Sequence, residues 1–299
     1  MTGRWLCLLL AIISLGCTRE RAELGSERNP IKFFFVPSVD VRVLEDTSKS
    51  LKIYLEANTP YKYKISVPPS FIAVVEAFGT SRADAAGLNT FGYALAHEKY
   101  GVEARLTTVR NGEATYRGQF LAKVDGKIKK IEDIQGKKFA YVDPASTSGY
   151  VLPLKYLKDR NIKPKDTVFA MRHDIVVSMI YQGQVDAGAT FYVSPVGDKI
   201  QDARMLVKTQ YPDVEQKIKI IALTDPIPND PVVFRKDLPE EMKARISAAL
   251  IKFVESPSGK ETLQKLSGVT GLIPATDKDY EKTRQYLKEI SKAAAEPAK

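Results

Sequence analysis

A short internal repeat constrains the fold of this chain more than any other feature. The segment 74–87 (VVEAFGTSRADAAG) aligns without a gap with 176–189 (VVSMIYQGQVDAGA), 102 positions further along. Each copy has the pattern of an apolar helix, a glycine-containing turn and a strand that begins with Asp-Ala. Since repeats of this size set the architecture, we predict two lobes of one design.

Elsewhere, short β-branched or aromatic runs alternate with amphipathic stretches, which indicates an α/β fold with two mainly parallel sheets. The predicted strands are 31–36, 63–67, 83–88, 116–124, 138–142, 167–172 and 218–224. The predicted helices are 41–57, 70–78, 149–159, 174–181, 239–254, 259–266 and 279–293.

Two of these strands, 116–124 and 218–224, are placed to cross between the lobes and form a two-strand hinge. We therefore predict a first lobe of residues 31–118 plus 222–299 and a second lobe of residues 119–221. The cleft between two hinged lobes is the default ligand site.

The N-terminus has the pattern of an export signal. Arg4 precedes the apolar run 5–15, which is too short to cross a membrane as a helix. The run ends in Ser-Leu-Gly before Cys17, which resembles a bacterial lipobox. We predict a signal peptide at 1–16, acylation of Cys17 that anchors the protein in a membrane, and a flexible tether at 17–30. The alternative is a signal peptide that is cleaved without acylation.

Composition excludes several kinds of chemistry. Both cysteines, Cys7 and Cys17, lie in the leader, so the body has neither a disulfide framework nor a cysteine nucleophile. Two histidines, His97 and His173, are too few for a His-rich metal site. The net charge is +9, but acidic residues are interleaved with the basic ones and no zinc-finger or RNP pattern occurs. We expect no enzyme activity, no metal, no cofactor and no nucleic-acid partner.

The strongest local motif is 141–150, with the sequence YVDPASTSGY. A strand ends there and the hydroxyl residues Ser146, Thr147 and Ser148 open a helix. A helix N-terminus offers unpaired backbone N–H groups and a partial positive charge, and so binds phosphate-like anions. Capping of the helix by these residues is the equally weighted alternative.

Further candidates are residues at the ends of predicted strands. His173 follows the strand 167–172 and aligns with Phe71 in the repeat; it either donates to an oxyanion or is an ordinary core histidine. Asn89 and Thr90 follow the strand 83–88, and Tyr192 follows its counterpart.

Two hinge residues complete the set. Tyr116 begins one crossing strand, where it either reaches the cleft or packs in the hinge. Asp225 ends the other crossing strand, and its carboxylate would accept a proton from a protonated anion while repelling a fully ionised one such as sulfate. By contrast, we expect Asp84 and Asp186 to be structural, because both begin strands and lie away from the cleft.

Several segments of the chain resemble the phosphate, phosphonate and phosphite-binding proteins of ABC transporters, the phosphonate-binding-protein family. They are His173 together with 87–94 (GLNTFGYA), 116–120 (YRGQF), 130–153 (KIEDIQGKKFAYVDPASTSGYVLP), 183–187 (GQVDA) and 227–233 (IPNDPVV).

The resemblance implies a two-lobed periplasmic-binding-protein fold of type II that closes on a small phosphorus oxyanion. It implies ligand contacts from Tyr116, from the hydroxyl and N–H groups of 146–148, from His173 and from Asp225 or its neighbour Asp230. The apolar Phe71 would face the fourth substituent of the phosphorus. An ABC permease is the implied partner of a monomeric receptor. Presentation of the anion to a membrane sensor kinase and binding of a sulfonate are the alternatives.

Overall fold

The computed structural model describes residues 22–264, 268–281, 283–285 and 287. Its strands are β1 (Ile31–Phe35), β2 (Tyr63–Ser66), β3 (Ala85–Gly87), β4 (Glu103–Arg110), β5 (Thr115–Lys123), β6 (Lys138–Tyr141), β7 (Asp166–Phe169), β8 (Ala187–Tyr192), β9 (Ile218–Pro228), β10 (Pro231–Phe234) and β11 (Val269–Pro274). Its α-helices are α1 (Val41–Asn58), α2 (Phe71–Gly79), α3 (Thr90–Tyr100), α4 (Leu152–Lys158), α5 (His173–Tyr181), α6 (Val214–Lys217), α7 (Glu240–Glu255) and α8 (Pro257–Gln264).

These strands form two sheets, each the centre of one lobe, which confirms the predicted α/β organisation. The first sheet has the order β11-β4-β10-β3-β1-β2, and the second has the order β7-β6-β8-β5-β9. Each sheet has a parallel part, β1 with β2 and β3, and β6 with β7 and β8. The sheets are mixed rather than mainly parallel, because β10 and β11 in one sheet, and β5 in the other, pair antiparallel with their neighbours.

The repeat predicted from the sequence is present in both lobes. Helix α2 begins and ends 102 positions before α5, and Ala85 of β3 precedes Ala187 of β8 by the same interval. Asp84 accepts a hydrogen bond from the backbone N–H of Lys32 at 2.8 Å. Asp186 accepts the equivalent bond from Lys138 at 2.9 Å. Both carboxylates fasten one strand to the next, which confirms their structural role.

The chain crosses between the sheets at 111–114 and at 229–230, since β5 and β9 pair with each other in the second sheet up to Thr115 and Pro228. Asn229 links the two crossings. Its side-chain N–H groups donate to the carbonyl oxygens of Thr108 and Glu113, each at 2.8 Å. The hinge is therefore held at a buried amide between the lobes.

The predicted leader with Cys17, and the part of the last predicted helix beyond residue 287, lie outside the described residues. Residues 22–30, predicted as tether, are ordered instead of free. Gly25 adopts a φ of +89°, Asn29 donates to the Ala22 carbonyl at 2.9 Å, and Lys62 donates its backbone N–H to the Gly25 carbonyl at 2.7 Å. In the described part of the chain, no helix combines the length and the apolar character that a membrane crossing requires.

Candidate ligand-binding site

A cavity of about 150 Å³ lies where the two lobes meet. It has a polar end and an apolar end. The polar end is lined by Ser38, Asn89, Thr108, Arg110, Tyr116, Ser146, Thr147, Ser148, His173 and Asp230. The apolar end extends over the first sheet beneath α1, α7 and α8. Phe71 and Phe191 also line the cavity.

The turn 146–149 forms one wall of the polar end. Its backbone makes one turn of π-helix at Thr147–Val151, in which the Val151 N–H donates to the Ser146 carbonyl at 2.9 Å. Helix α4 follows at Leu152, with Pro153 in its first turn, where the missing N–H costs nothing. The N–H groups of Thr147 and Ser148 lie in the opening turn, where a helix provides no carbonyl partner.

Glycine is required at position 149. A Cβ atom there would collide with the side chain of Val142, whose own N–H donates to the Gly149 carbonyl at 3.1 Å. The Gly149 N–H donates to Ser146 Oγ at 3.1 Å. Both alternatives for the motif are thus represented: Ser146 caps the turn, and Thr147 and Ser148 line the cavity.

Thr147 also connects the two lobes. Its Oγ1 accepts hydrogen bonds from Asn89 Nδ2 at 3.0 Å and from the Phe91 N–H at 2.9 Å. Asn89 Nδ2 donates in addition to the Ala145 carbonyl at 2.7 Å. Both of these contacts use the Thr147 oxygen as acceptor, and the Thr147 side chain also hydrogen-bonds with Tyr116. The lobes are therefore closed on each other at this wall.

A partly buried ion pair forms another part of the polar end. Arg110 Nη2 lies 2.7 Å from Asp230 Oδ2, and the guanidinium lies 5.5 Å from the centre of the Tyr116 ring. Burial raises the pKa of Tyr116, and the Asp230 charge raises it further. Tyr116 therefore keeps its hydroxyl hydrogen. The other carboxylate oxygen, Asp230 Oδ1, is buried and has no hydrogen-bond partner among the described residues.

His173 is the first residue of α5 and is buried at the cavity. Its ring packs edge-on against Phe191, with 5.0 Å between ring centres. Burial lowers the pKa of His173 to about 3, and the Arg110 charge lowers it further. The imidazole is therefore neutral near pH 7. Its Nδ1 is buried without a partner among the described residues.

Three predicted site residues do not line the cavity. Asp225 lies within β9 instead of in a turn after it, and its exposed side chain borders a surface groove with Leu152 and Lys155. Thr90 donates its hydroxyl to the Pro228 carbonyl at 2.7 Å. Tyr192 follows Phe191 in β8, and consecutive side chains of a strand point to opposite faces.

Sequence reasoning missed Arg110 altogether and gave Asp230 only as an alternative to Asp225. The strand β4, which ends at Arg110, was not predicted, because charged residues interrupt its apolar alternation. The Asn111-Gly112 pair that follows Arg110 is a turn signal next to the predicted crossing strand. That signal places Arg110 at the hinge.

Among the described residues, no group of three or more His, Cys, Asp or Glu side chains is placed to hold a metal ion. The polar end therefore presents hydroxyl, amide N–H and guanidinium donors. It also presents four buried atoms that lack partners among the described residues: Asn89 Oδ1, Thr108 Oγ1, His173 Nδ1 and Asp230 Oδ1. Such a set suits a small anion that also carries a hydrogen.

A family model described as an ABC transporter, phosphonate, periplasmic substrate-binding protein matches residues 33–280. The chain belongs to this family. The match includes the whole polar end of the cavity, from Ser38 to Asp230.

Two curated relatives and one solved structure show how far the likeness extends. The phosphonates-binding periplasmic protein of Escherichia coli is 23% identical over 228 residues, which are 75% of this chain and 63% of that protein. The phosphate-import protein PhnD of Mycolicibacterium smegmatis is 24% identical over 274 residues, covering 83% of this chain and 82% of that protein.

A binding protein component of an ABC phosphonate transporter from Pseudomonas aeruginosa superposes with a TM-score of 0.73 at 21% identity. The superposition covers 86% of this chain and 87% of that one. This likeness confirms the predicted two-lobed binding-protein fold.

Proposed function

We propose that the protein binds a small, protonated phosphorus oxyanion at the polar end of the cavity and delivers it to an ABC permease. The observation that carries this proposal is that one end of the cavity holds both hydrogen-bond donors and an unpaired acceptor. Thr147 and Ser148, with their first-turn N–H groups, and Asp230, whose Oδ1 lacks a partner among the described residues, line the same polar end.

The donors suit the charged oxygens of such an anion. Backbone N–H groups at the start of a helix bind phosphate-like groups, and hydrogen bonds to an ionised acceptor are the stronger ones. The hydroxyls of Thr147, Ser148 and Tyr116 add donors at the same wall. Arg110 supplies positive charge, but its pairing with Asp230 leaves the two together neutral.

Asp230 gives the site its preference for a protonated ligand. An ionised carboxylate accepts hydrogen bonds and donates none, so Oδ1 needs a donor from the ligand. A P–OH group provides one. Sulfate carries no proton at neutral pH, so it would leave Oδ1 unpaired and face a like charge, which is costly in a buried site.

The relatives agree on phosphorus and differ in the fourth substituent. One is named for phosphonates, in which a carbon replaces an oxygen, and the other for phosphate. We extend to this chain only what they share, a phosphorus oxyanion. Acylation of Cys17 would hold the receptor at a membrane of the cell envelope, where it would act as a monomer.

Calorimetry with phosphate, phosphite, methylphosphonate and sulfate tests the ligand class. We expect binding of at least one phosphorus oxyanion, and a weaker response to sulfate. Ser148→Ala should weaken that binding by more than about tenfold, because a hydrogen bond to a charged group is worth roughly 1.5–3 kcal/mol. Ser178→Ala is the matched control, since Ser178 lies in α5 and does not line the cavity. Equal or tighter binding of sulfate would contradict the proposal.

Membrane attachment needs a separate experiment. Cys17→Ser should move the protein from the membrane fraction to the soluble fraction without altering its affinity. A protein that stays soluble with Cys17 intact would remove the anchor from the proposal.

A further inference from the structure

The apolar end of the cavity has no role in holding an oxyanion. It is lined by Phe33 of β1, Leu44 and Leu51 of α1, Leu250 and Val254 of α7, and Leu272 of β11. We call this end the apolar arm. It lies between the first sheet and the helices that cover it, and it is continuous with the polar end.

Among the described residues that line the cavity, the charged side chains are Arg110 and Asp230, which pair with each other at 2.7 Å. His173 packs on Phe191 in the second lobe. The side chains that define the apolar arm carry no hydrogen-bonding group. A charged group placed there would lose its hydration without gaining a partner.

An apolar void inside a lobe is itself unusual. Protein interiors are packed as densely as organic crystals, and a cavity lined by aliphatic and aromatic groups costs stability and stays dry. The whole cavity, including its polar end, has a volume of about 150 Å³, so the arm alone is smaller than the engineered apolar cavity of that size that accepts benzene. A ligand with a short apolar group would fill the arm and recover the lost contacts.

We infer that the ligand is a phosphonate whose organic substituent is an uncharged short alkyl chain, and that this substituent occupies the apolar arm. The inference rests on the proposed function, since the phosphonate oxygens must bind at the polar end to direct the substituent inward. It disfavours phosphate, which leaves the arm empty. It also disfavours a phosphonate with a terminal ammonium, which would enter the arm without a partner.

A ligand series on the unmodified protein tests this directly. Calorimetry would compare methylphosphonate, n-propylphosphonate and 2-aminoethylphosphonate. Each added CH₂ should tighten binding about fourfold, so n-propylphosphonate should bind roughly 15-fold tighter than methylphosphonate. The 2-aminoethyl compound has the same length as the n-propyl compound and differs at the last atom. We expect it to bind at least about tenfold more weakly, because its ammonium is buried unpaired.

A filling variant locates the substituent. Val254→Phe should remove the advantage of n-propylphosphonate and leave the affinity for methylphosphonate within about twofold, since the larger ring occupies the arm and not the polar end. Ile53→Phe is the matched control, because Ile53 is exposed on α1 and does not line the cavity. The series on the unmodified protein remains decisive if Val254→Phe does not fold.

The outcomes separate this inference from the function on which it rests. Failure of phosphate, phosphite and every phosphonate to bind would overturn the proposed function. Binding of methylphosphonate with no gain for the n-propyl compound, or a preference for the 2-aminoethyl compound, would overturn the apolar arm alone. An equal loss of both ligands in Val254→Phe would place the substituent elsewhere and overturn it too.

Discussion

The two copies of the internal repeat have the same elements and different chemistry. Helices α2 and α5 begin at corresponding positions, and each begins at the cavity. The first copy places the apolar Phe71 there, and the second places His173. The backbone plan is therefore shared by the lobes, while the polar groups for a ligand come mainly from the second lobe and the hinge.

The aspartates that immediately precede β3 and β8 also differ between the two copies. Asp84 is 2% exposed and bonds to Arg235 at 2.8 Å as well as to the Lys32 N–H. Asp186 is exposed and makes the backbone bond to Lys138. Equivalent positions can therefore share one contact and still contribute very different amounts to the free energy of unfolding. The comparison makes predictions for both the fold and the site.

Replacement of the first-lobe aspartate, Asp84, should have the largest effect on stability. Asp84→Ala should lower the free energy of unfolding by about 3 kcal/mol, because it removes a buried carboxylate that accepts from the Lys32 N–H and from Arg235, while Arg235 keeps its pair with Asp237. Asp186→Ala should cost less than about 1 kcal/mol, since water can replace its carboxylate. Urea unfolding of both variants measures the difference. Equal costs would mean that the two lobes use this position alike.

The second-lobe histidine should make stability depend on pH. Its pKa in the folded state is about 3, because of burial and of Arg110. In the unfolded chain the pKa is about 6.5, so the unfolded state binds the proton first and stability falls as pH decreases from about 6.5 towards 3. Between pH 7 and pH 4.5 the loss should be about 2 kcal/mol.

His173→Phe, which gives the second copy the residue of the first, removes this titration. The variant should therefore lose about 2 kcal/mol less stability than the wild-type protein over the same pH range, because the remaining acidic groups titrate alike in both. Unfolding curves at both pH values measure it. Parallel pH dependence in the two proteins would show that His173 is not buried as a neutral group.

The two repeats also show which features of the structure could be predicted from the sequence. The repeat predicted α2, α5 and their strands at the correct interval, because apolar periodicity and the Asp-Ala start are local signals. The turn 146–149 was found for the same reason, since hydroxyl residues before a glycine signal a helix start. Phe71, Asn89, Tyr116 and His173 were correctly expected to meet at one cleft.

The misplaced residues depend on long-range pairing. The Asp-Pro-Ile-Pro segment at 225–228 has the composition of a turn, yet it continues β9 because Tyr116 and Arg117 of β5 pair with it. That pairing moves the hinge to 229–230 and brings Asp230, not Asp225, to Arg110. No local signal carries such a register, so the pairing of Arg110 with Asp230 and the mixed sheets could not be predicted either.

Removing the link between the lobes at Thr147 should have an intermediate effect on ligand affinity. Thr147→Val keeps the shape but removes the oxygen that Asn89 and Phe91 share, so closure and ligand donation are both lost. We expect methylphosphonate to bind about tenfold more weakly, which corresponds to about 1.4 kcal/mol. Thr147→Ser keeps the hydroxyl and should bind within about twofold of the wild-type protein. Equal loss in both variants would show that the methyl group contributes as much to binding as the hydroxyl.

The smallest effect should come from Phe71. Its ring offers no strong hydrogen bond, so it contributes shape to the wall, whereas His173 at the matching position has a nitrogen that lacks a partner. Phe71→Leu is an apolar exchange that should cost less than about 1.5 kcal/mol in stability and change methylphosphonate affinity less than about threefold. His173→Phe should weaken the same ligand more, by calorimetry. A tenfold loss in Phe71→Leu with little loss in His173→Phe would reverse the assignment of the polar groups to the second lobe, because the wall contributed by the first repeat would then be the one that discriminates the ligand.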